Sequence, residues 1–269
     1  PRTIACIFKT RDDIRQDALT LQFLAVMREE CALAGAEVFL HVYSVFPSCA
    51  REEGQYSLGG IIEVIPDSVS RDQIGRQHDT DLLGYFTDRF GPEGSPGFRR
   101  AQEAFIASMA GYSVGCYLLQ VKDRHNGNLM LDARGHLIHI DFGFIFDISP
   151  GMNLRFEKAE FKLSKEMLRV MGRDAQAEPF LYYEAQTVKA MLAVRALTPL
   201  LAGLAALAEE SGLRCFLPQA LQRFRERLFP ALDSHETARA VQRIVHEALN
   251  SLRTAIYDRI QYIQNRITH

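Results

Sequence analysis

Residues 122–143 read KDRHNGNLMLDARGHLIHIDFG, and this stretch determines how the rest of the chain is interpreted. Apolar residues alternate with polar ones over 128–132 and again over 136–141, and Ala-Arg-Gly at 133–135 separates the two runs. This alternation predicts two antiparallel strands, and a three-residue connection that ends in glycine suits the left-handed position of a hairpin turn. The stretch therefore predicts a β-hairpin that follows a charged loop.

The open end of this predicted hairpin carries two oxygen donors. If Arg134 is the centre of the turn, Asn128 lies opposite Ile140 and within one residue of Asp141. One amide and one carboxylate are sufficient protein ligands for Mg²⁺, which completes its shell with water and substrate phosphates. His125 lies in the loop before the hairpin and is able to reach a substrate hydroxyl. These residue types in this order predict a magnesium-dependent phosphoryl-transfer site.

The charged loop and the end of the hairpin contain two motifs that occur together in kinases. Asp-Phe-Gly at 141–143 is typical of protein kinases, whose catalytic loop reads His-Arg-Asp before an asparagine. Here the order is Asp-Arg-His at 123–125, followed by Asn128. This loop resembles that of the phosphatidylinositol 3-/4-kinase superfamily, and Lys122 in front of it resembles the 4-kinase branch. The alternative is a chance hairpin with turn-forming residues, which the whole constellation at this spacing disfavours.

Composition limits the class of protein. The chain has 269 residues, 47% hydrophobic and 24% charged, and can bury a sizeable core. Its formal net charge of -2 and pI near 6.5 predict no nucleic-acid partner. Five cysteines without Cys-x-x-Cys spacing predict reduced, buried thiols in the cytosol and no structural zinc. The apolar stretch 190–208 contains Arg195 and Pro199, so it predicts a buried helical pair rather than a membrane span.

The beginning of the chain predicts a strand, a turn and a helix. Residues 3–9 form an apolar run that ends in Lys9, and apolar residues then recur at helical spacing, with Asp12 or Asp13 as the expected cap. The string IFKTRDDIRQD resembles the lysine strand and the following helix of the same superfamily. By that resemblance Lys9 binds the phosphates of ATP, and Asp17 lines the inner part of the nucleotide pocket.

The next segment predicts the rest of a small lobe. Alternation over 38–46 predicts a strand, the polar and glycine-rich residues 47–60 predict a loop, and 60–65 predict an apolar strand. The resemblance implies that Tyr43 faces the nucleotide, whereas half-buried packing is the alternative. It also implies a hinge whose backbone hydrogen-bonds adenine. The hinge residues are Glu63, Val64 and Ile65.

Three longer strings bear on the branch within the superfamily. IIEVIPDSVSRDQIGRQ at 61–77 resembles the alpha type of the type III phosphatidylinositol 4-kinases. GYSVGCYLLQVKDRHNGN at 111–128 and FEKAEFKLS at 156–164 are more similar to the beta type. The alpha type is the interpretation adopted.

Helices are predicted for most of the second half. Arg71 and the polar residues that follow it predict a solvated helix face rather than a catalytic element. The pattern over 98–121 predicts a long helix that supports the catalytic loop. Beyond residue 164 helices follow one another, and Asp233 with Glu236 predicts a capping box.

Residues 144–161 correspond by resemblance to an activation loop that faces a lipid headgroup. Relatives that act on already phosphorylated inositides carry clustered basic residues there, because extra phosphates need extra positive charge. Here acidic and basic residues are mixed, which favours phosphatidylinositol, with its single phosphodiester. The predicted substrate-loop residues are Ser149, Pro150, Gly151, Asn153, Arg155 and Lys158.

The resemblance implies an α+β, bilobal protein-kinase-like fold. Residues 1–65 are expected to form a truncated small lobe with an antiparallel β-sheet and one helix, and residues 66–269 a large, mostly helical lobe with the catalytic hairpin. A phosphate-covering loop is expected upstream of Pro1, since no other glycine-rich phosphate motif occurs. Isoleucines over 256–267 predict an amphipathic terminal helix that packs on the protein or on a membrane.

These features lead to the hypothesis of a lipid kinase that transfers the γ-phosphoryl group of ATP to the 4-hydroxyl of phosphatidylinositol. His125 is the expected general base, because an imidazole takes a proton near neutral pH. Asp123 orients the loop or assists proton removal, and Arg124 belongs to the same catalytic motif. Asn128 and Asp141 are the expected ligands of Mg²⁺, for which Mn²⁺ can substitute.

Two other functions stay open at this point. A phosphatidylinositol-3-kinase-related protein kinase shares both motifs, although that group usually has glycine where Lys122 stands. An inactive fragment that serves as a scaffold is the non-enzymatic alternative. The expected location is cytoplasmic and peripheral to a membrane: the plasma membrane for the alpha type, the Golgi for the beta type. Protein scaffold partners are expected to bind through upstream regions.

Overall fold

The computed structural model describes residues 4–52, 55–78, 80–150 and 159–250. Its first part consists of β1 (Cys6–Thr10), α1 (Arg15–Leu33), β2 (Val45–Glu52) and β3 (Gln55–Glu63). Its second part consists of β4 (Ser68–Ser70), α2 (Arg71–His78), α3 (Leu82–Phe90), α4 (Pro96–Leu119), a 3-10 turn (Asn126–Asn128), β5 (Leu129–Asp132), β6 (Leu137–His139), α5 (Lys165–Val170), α6 (Glu178–Ala196), α7 (Thr198–Glu209), α8 (Ala220–Glu226) and α9 (Ser234–Asn250).

The first sheet has the antiparallel order β1-β3-β2, so β3 lies in the middle. The loop predicted for 47–60 is wrong, because β2 and β3 form a hairpin there. A Cβ at Gly59 would lie 2.4 Å from the Lys9 carbonyl oxygen, and one at Gly60 would lie 2.3 Å from the Phe46 carbonyl oxygen. The two glycines therefore allow close approach of β1 and β2 to the middle strand.

The second sheet has the order β4-β5-β6 and contains the predicted hairpin. Leu129 pairs with His139 and Leu131 with Leu137, so Arg134 is the centre of the turn, as expected. The Ile140 N–H donates to the Asn128 carbonyl at 3.2 Å, which confirms the predicted register. Gly135 has a φ of +98°, the left-handed conformation that the turn requires.

The strand predicted for 38–46 is wrong before Val45. Residues 38–44 lie along α4, where the Phe39 N–H donates to the Ala107 carbonyl at 2.9 Å. Gly111 makes this close contact feasible, since a Cβ there would be 2.9 Å from the Phe39 carbonyl oxygen. The alternation of these residues reflects an extended segment with one side on a helix, not a strand paired in a sheet.

The helix α4 lies in the core and buries residues around most of its circumference, including Phe105, Met109 and Leu119. Ser95 caps its first turn by accepting from the Phe98 N–H at 3.2 Å. The predicted long helix is confirmed, with a start two residues earlier than expected. The last described helix begins with a reciprocal capping box between Asp233 and Glu236, also as predicted.

Three local expectations need correction. The cap of α1 is Ile14, and no side chain caps this helix; Asp13 instead accepts from the Arg15 N–H and guanidinium. Arg71 is 3% exposed rather than solvated, because it forms a bidentate pair with Glu166 at the start of α5. Two of the five cysteines, Cys6 and Cys49, are exposed, whereas the others are buried.

The apolar stretch 190–208 covers the end of α6 and most of α7, and each helix buries one face in the core. In the described part of the chain, no single helix is long and apolar enough to cross a membrane. The helices α6 and α7 reach that length and apolar character only together, and the pair is bent by 72°.

The predicted α+β class is confirmed. The division of the chain at residue 65 stays a prediction, and the terminal helix predicted over 256–267 lies outside the described residues.

Candidate active site

A cavity of about 340 Å³ lies between the two sheets, with α1 forming another part of its wall. It brings together all of the residues that the sequence predicted to bind nucleotide or metal. These are Lys9, Asp17, Tyr43, Glu63, Val64, Ile65, Asn128 and Asp141. The charged loop at 123–125 shortly precedes Asn128 in the chain and is not itself part of this lining.

Part of the cavity lining is aliphatic. Ile7 on β1 and Ile62 on β3 are cross-strand partners, and Met130 and Ile140 of the hairpin also line the cavity. Apolar side chains from two sheets form a slot suited to a planar base. Sequence reasoning missed these residues, although the alternation of Ile7 with Lys9 on β1 places both on the same face.

The hinge residues are held by backbone pairing on both sides. The Glu63 N–H donates to the Ser44 carbonyl and the Val64 N–H to the Ala5 carbonyl, each at 2.9 Å. The Ser68 hydroxyl donates to the Ile65 carbonyl at 2.8 Å. The Val64 amide is thus engaged within the protein, and the resemblance implies that adenine binds the Glu63 carbonyl and the Ile65 amide.

Another part of the lining carries charges of both signs. Lys9 Nζ lies 3.2 Å from Asp12 Oδ2, with both side chains about half exposed. The Arg15 guanidinium hydrogen-bonds Asp13 and holds the pKa of that carboxyl below its usual range. Arg214, from the segment between α7 and α8, also lines the cavity. Sequence reasoning missed Arg214, since nothing local indicates that residues this far along the chain reach the site.

Asp17 connects α1 to the Asp-Phe-Gly segment. It is 7% exposed, and its Oδ1 accepts from the Phe142 N–H at 2.8 Å. The neighbouring Gln16 donates to the Gly143 carbonyl at 2.6 Å. The pKa of Asp17 is raised to about 6, chiefly by burial and also by the nearby Asp141, while the Phe142 N–H opposes the rise. Hydrogen bonds from the first helix therefore fix the backbone that directly follows Asp141.

Arg124 holds the same segment from the other side. It is 4% exposed and donates to the carbonyls of Lys122 at 3.0 Å, of Ile140 at 2.7 Å, and of Asp141. Its guanidinium carbon lies 5.6 Å from the centre of the Phe142 ring, a cation–π contact. With its donors directed at backbone carbonyls, Arg124 positions the loop and the hairpin end relative to each other.

Asn128 and Asp141 present oxygen donors at the hairpin end. Asn128 Nδ2 donates to the Asp123 carbonyl at 3.0 Å, which leaves its oxygen on the opposite side of the amide, and Asp141 is exposed to the cavity. No cluster of three or more His, Cys, Asp or Glu is arranged around a metal position in the described ranges. Two oxygens on a cavity wall fit Mg²⁺, which takes its other ligands from water and phosphates.

His125 has its ring orientation fixed by the turn that follows it. Its Nδ1 accepts from the Gly127 N–H at 3.0 Å, and its Nε2 lies 4.0 Å from Asp123 Oδ2. Burial lowers the pKa of His125, whereas the Asp123 carboxylate acts to raise it. A neutral ring with an accepting Nδ1 carries its proton on Nε2. In this arrangement Nε2 is a hydrogen-bond donor, so His125 cannot accept a proton at Nε2.

The backbone of the site is strained at two of its polar residues. Asp123 has a φ of +62° and Asp141 a φ of +60°, in the left-handed region that residues other than glycine seldom adopt. Conformations of this kind persist only where the surroundings fix them, and they cluster at functional sites. The bonds from Arg124 and Asp17 provide that fixation at Asp141, and the Asp123 carbonyl accepts from Asn128 Nδ2.

The predicted substrate loop is described only in part. Ser149 and Pro150 lie in an irregular, half-buried segment, as expected after Asp-Phe-Gly. The remaining predicted residues of this loop, Gly151, Asn153, Arg155 and Lys158, lie outside the described residues.

Comparison with known proteins agrees with this geometry. Over residues 3–216 the chain matches the family described as phosphatidylinositol 3- and 4-kinase. It is 40% identical over 269 residues to the phosphatidylinositol 4-kinase stt4 of Schizosaccharomyces pombe, covering 98% of this chain and 14% of that protein. It is 41% identical to phosphatidylinositol 4-kinase alpha 1 of Arabidopsis thaliana, covering 98% and 13% of the two chains.

Beta-type relatives are similar to nearly the same degree. Phosphatidylinositol 4-kinase beta 1 of Arabidopsis thaliana is 38% identical over 268 residues, covering 97% of this chain and 23% of that protein. The chain thus spans less than a quarter of the length of each of these relatives. The family match includes the lysine strand, the hinge, the charged loop and the Asp-Phe-Gly hairpin end. On the motifs, the cavity that gathers them and this match, the chain belongs to the phosphatidylinositol 3- and 4-kinase family.

Proposed function

We propose that this chain transfers the γ-phosphoryl group of ATP to the 4-hydroxyl of phosphatidylinositol. The observation that carries the proposal is the single cavity that joins an aliphatic slot, Lys9 and the oxygens of Asn128 and Asp141 beside the loop with Asp123 and His125. The choice of lipid and hydroxyl is supported by the names of the similar proteins, which are phosphatidylinositol 4-kinases.

In the proposed complex the adenine occupies the aliphatic slot, and the phosphates extend toward Lys9. Lys9 is held near the mouth by Asp12 and is half exposed, so a phosphate can compete for its ammonium group. Asn128 and Asp141 hold Mg²⁺, which when bound neutralises charge on the phosphate oxygens. Positioning and electrostatics carry most of this type of chemistry, because the protein forms no covalent bond to the phosphoryl group.

Proton removal from the lipid hydroxyl involves Asp123 and His125. While the Gly127 N–H occupies Nδ1, His125 can donate its Nε2–H to a phosphoryl oxygen, and the Asp123 carboxylate is the group that accepts the hydroxyl proton. The role expected from the sequence, His125 as the base, requires the ring to release Gly127 first. The base route needs a neutral ring, and the lowered pKa of His125 favours one near neutral pH.

A lipid kinase assay tests the proposed function. The full-length protein is supplied with ATP, Mg²⁺ and phosphatidylinositol vesicles, and the position of the new phosphate is determined. Asp141→Ala should abolish turnover, whereas Asp88→Ala, the same change at an exposed helix position, should leave it unchanged. Near-wild-type turnover in Asp141→Ala would contradict the proposal that Asp141 is a ligand of Mg²⁺. Label that appears only in an added protein substrate would favour a protein kinase instead.

Two substitutions of His125 separate the proton routes. His125→Gln keeps a hydrogen-bond donor but has no proton-accepting nitrogen, and His125→Ala has neither. If His125 is the base, both variants lose activity by roughly 10²–10⁴-fold. If its Nε2–H is the functional group, the glutamine variant is clearly the more active of the two. Equal, near-wild-type rates in both variants would exclude either role.

We also propose that the protein acts in the cytoplasm at a membrane surface, with the plasma membrane as the site implied by the alpha-type resemblance. Cell fractionation with organelle markers tests this location, and recovery with Golgi markers would favour the beta-type interpretation. The scaffold alternative is tested by thermal unfolding. Stabilisation by ATP with Mg²⁺ would contradict a fragment that binds no nucleotide, since a ligand of the folded state raises its apparent stability.

A further inference from the structure

Lys162 is a buried cation beside the catalytic loop. Its residue is 6% exposed, and its Nζ donates to Asn126 Oδ1 at 2.9 Å. Asn126 is itself 4% exposed and begins the 3-10 turn that ends at Asn128. Lys162 belongs to the segment just before α5, so this bond joins the end of the activation segment to the loop that carries His125.

Such a burial is unusual for a lysine. Lysines are almost never buried unless they are paired, and removing an ammonium from water costs several kcal/mol that only hydrogen bonds and opposite charges offset. An apolar residue would fill the same volume at lower free-energy cost. The position of Lys162 next to the functional loop suggests that its charge and its donor act there.

The electrostatic surroundings of His125 support this view. The charged groups that face it are Asp123, Arg124, Lys162 and Asp141. Lys162 is not in the lining of the nucleotide cavity, so its influence falls on the loop and not on the base or hinge.

We propose that Lys162 is a positioning residue for phosphoryl transfer: its bond to Asn126 holds the turn at 126–128, and with it the side chains of His125 and Asn128, while its fixed charge faces the loop. This inference rests on the proposed function. It assigns Lys162 to the chemical step rather than to nucleotide binding, because the contact is made with the loop.

The test compares four variants of the full-length protein in the same lipid kinase assay. Lys162→Arg keeps the charge, Lys162→Gln keeps a donor without the charge, and Asn126→Ala removes the acceptor. Lys165→Gln is the matched control, since Lys165 is exposed at the start of α5 and undergoes the same chemical change. Turnover and KM for ATP are measured for each, and Mg²⁺-ATP binding gives the fraction of each variant that is folded.

We expect Lys162→Gln to lower kcat about tenfold, the loss typical for a charge-assisted hydrogen bond, with KM for ATP changed less than about twofold. Lys162→Arg should keep most of the rate, and Lys165→Gln all of it. A purely structural lysine would leave the kcat of the folded, ATP-binding fraction unchanged.

The Asn126→Ala variant provides a second test if Lys162→Gln does not fold. It should lower kcat by a similar factor. Where Lys162→Gln also folds, the double variant should lose much less than the product of the two single losses, because both changes weaken the same bond. Wild-type kcat in either single variant, or losses that multiply, would overturn the assignment of Lys162. A wild-type protein that labels no phosphatidylinositol would instead overturn the proposed function, so the two failures are distinguishable.

Discussion

Asp17→Asn is the substitution that most directly tests the electrostatics of the site. Asparagine has the same shape, and its oxygen can still accept from the Phe142 N–H that Asp17 binds at 2.8 Å. The change removes only the titratable group. Because Asp17 is 7% exposed, its negative charge is formed at a position largely shielded from water. We therefore expect the difference between the two proteins to depend on pH.

The direction follows from linkage. The pKa of Asp17 rises from 3.8 to about 6 on folding, so the folded state binds this proton more tightly than the unfolded state. The stabilising contribution is complete below pH 3.8 and is lost as the pH rises through 6. The difference between these two pKa values corresponds to roughly 3 kcal/mol of folding stability in total, of which about 1.5 kcal/mol is lost between pH 5 and pH 8. Asp17→Asn should not show this loss.

Urea unfolding of the 269-residue chain, followed by far-UV circular dichroism because the sequence has no tryptophan, measures the effect. The free energy of unfolding of Asp17→Asn relative to wild type should rise by about 1.5 kcal/mol from pH 5 to pH 8. A constant offset of roughly 1 kcal/mol from the weaker amide acceptor would not alter this slope. Asp88→Asn, at an exposed position of α3, serves as the control. Parallel pH profiles for Asp17→Asn and wild type would refute the reasoning.

Two further substitutions test the packing that supports the site. Gly59→Ala places a Cβ 2.4 Å from the Lys9 carbonyl oxygen, so it should destabilise the chain by roughly 1–3 kcal/mol and raise KM for ATP. Gly203→Ala is the control and should do neither, because the space around that position is open. Urea unfolding and ATP titration of turnover check both. Arg71→Met breaks the buried pair with Glu166 and should cost roughly 3 kcal/mol, most of which the double replacement Arg71→Met with Glu166→Met should restore. A double variant as unstable as the sum of both single variants would contradict this.

The part of the site that the sequence predicts well is local. The hairpin register follows from a short turn with a glycine and two alternating runs, and Asn128 lies opposite Ile140 as expected. A one-residue slip would turn Leu129 and Leu131 from the core to the solvent, so the pattern specifies its own pairing. The gathering of the nucleotide-site residues was predicted by resemblance, because no spacing argument connects β1 to a hairpin more than a hundred residues later.

The part that sequence reasoning missed depends on partners distant in the chain. Arg71 has the polar neighbours of a solvated helix face, and only Glu166, 95 residues away, makes its burial favourable. Alternation over 38–44 is compatible with a strand or with an extended segment on a helix, and the approach to Gly111 decides between them. Gly59 and Gly60 suggest a loop by composition, yet they are needed where three strands pass closely.

The metal-binding carboxylate proposed here is oriented by residues that do not touch a metal. Asp141 has a left-handed backbone, and its carbonyl is bound by Arg124 while the next two residues are bound by Asp17 and Gln16. These bonds come from the catalytic loop on one side and from the first helix on the other. A displacement of either element therefore changes the direction of the Asp141 carboxylate without changing its chemistry. The geometry of the proposed phosphoryl transfer therefore depends on hydrogen bonds to the backbone of Asp-Phe-Gly as well as on the side chain of its aspartate.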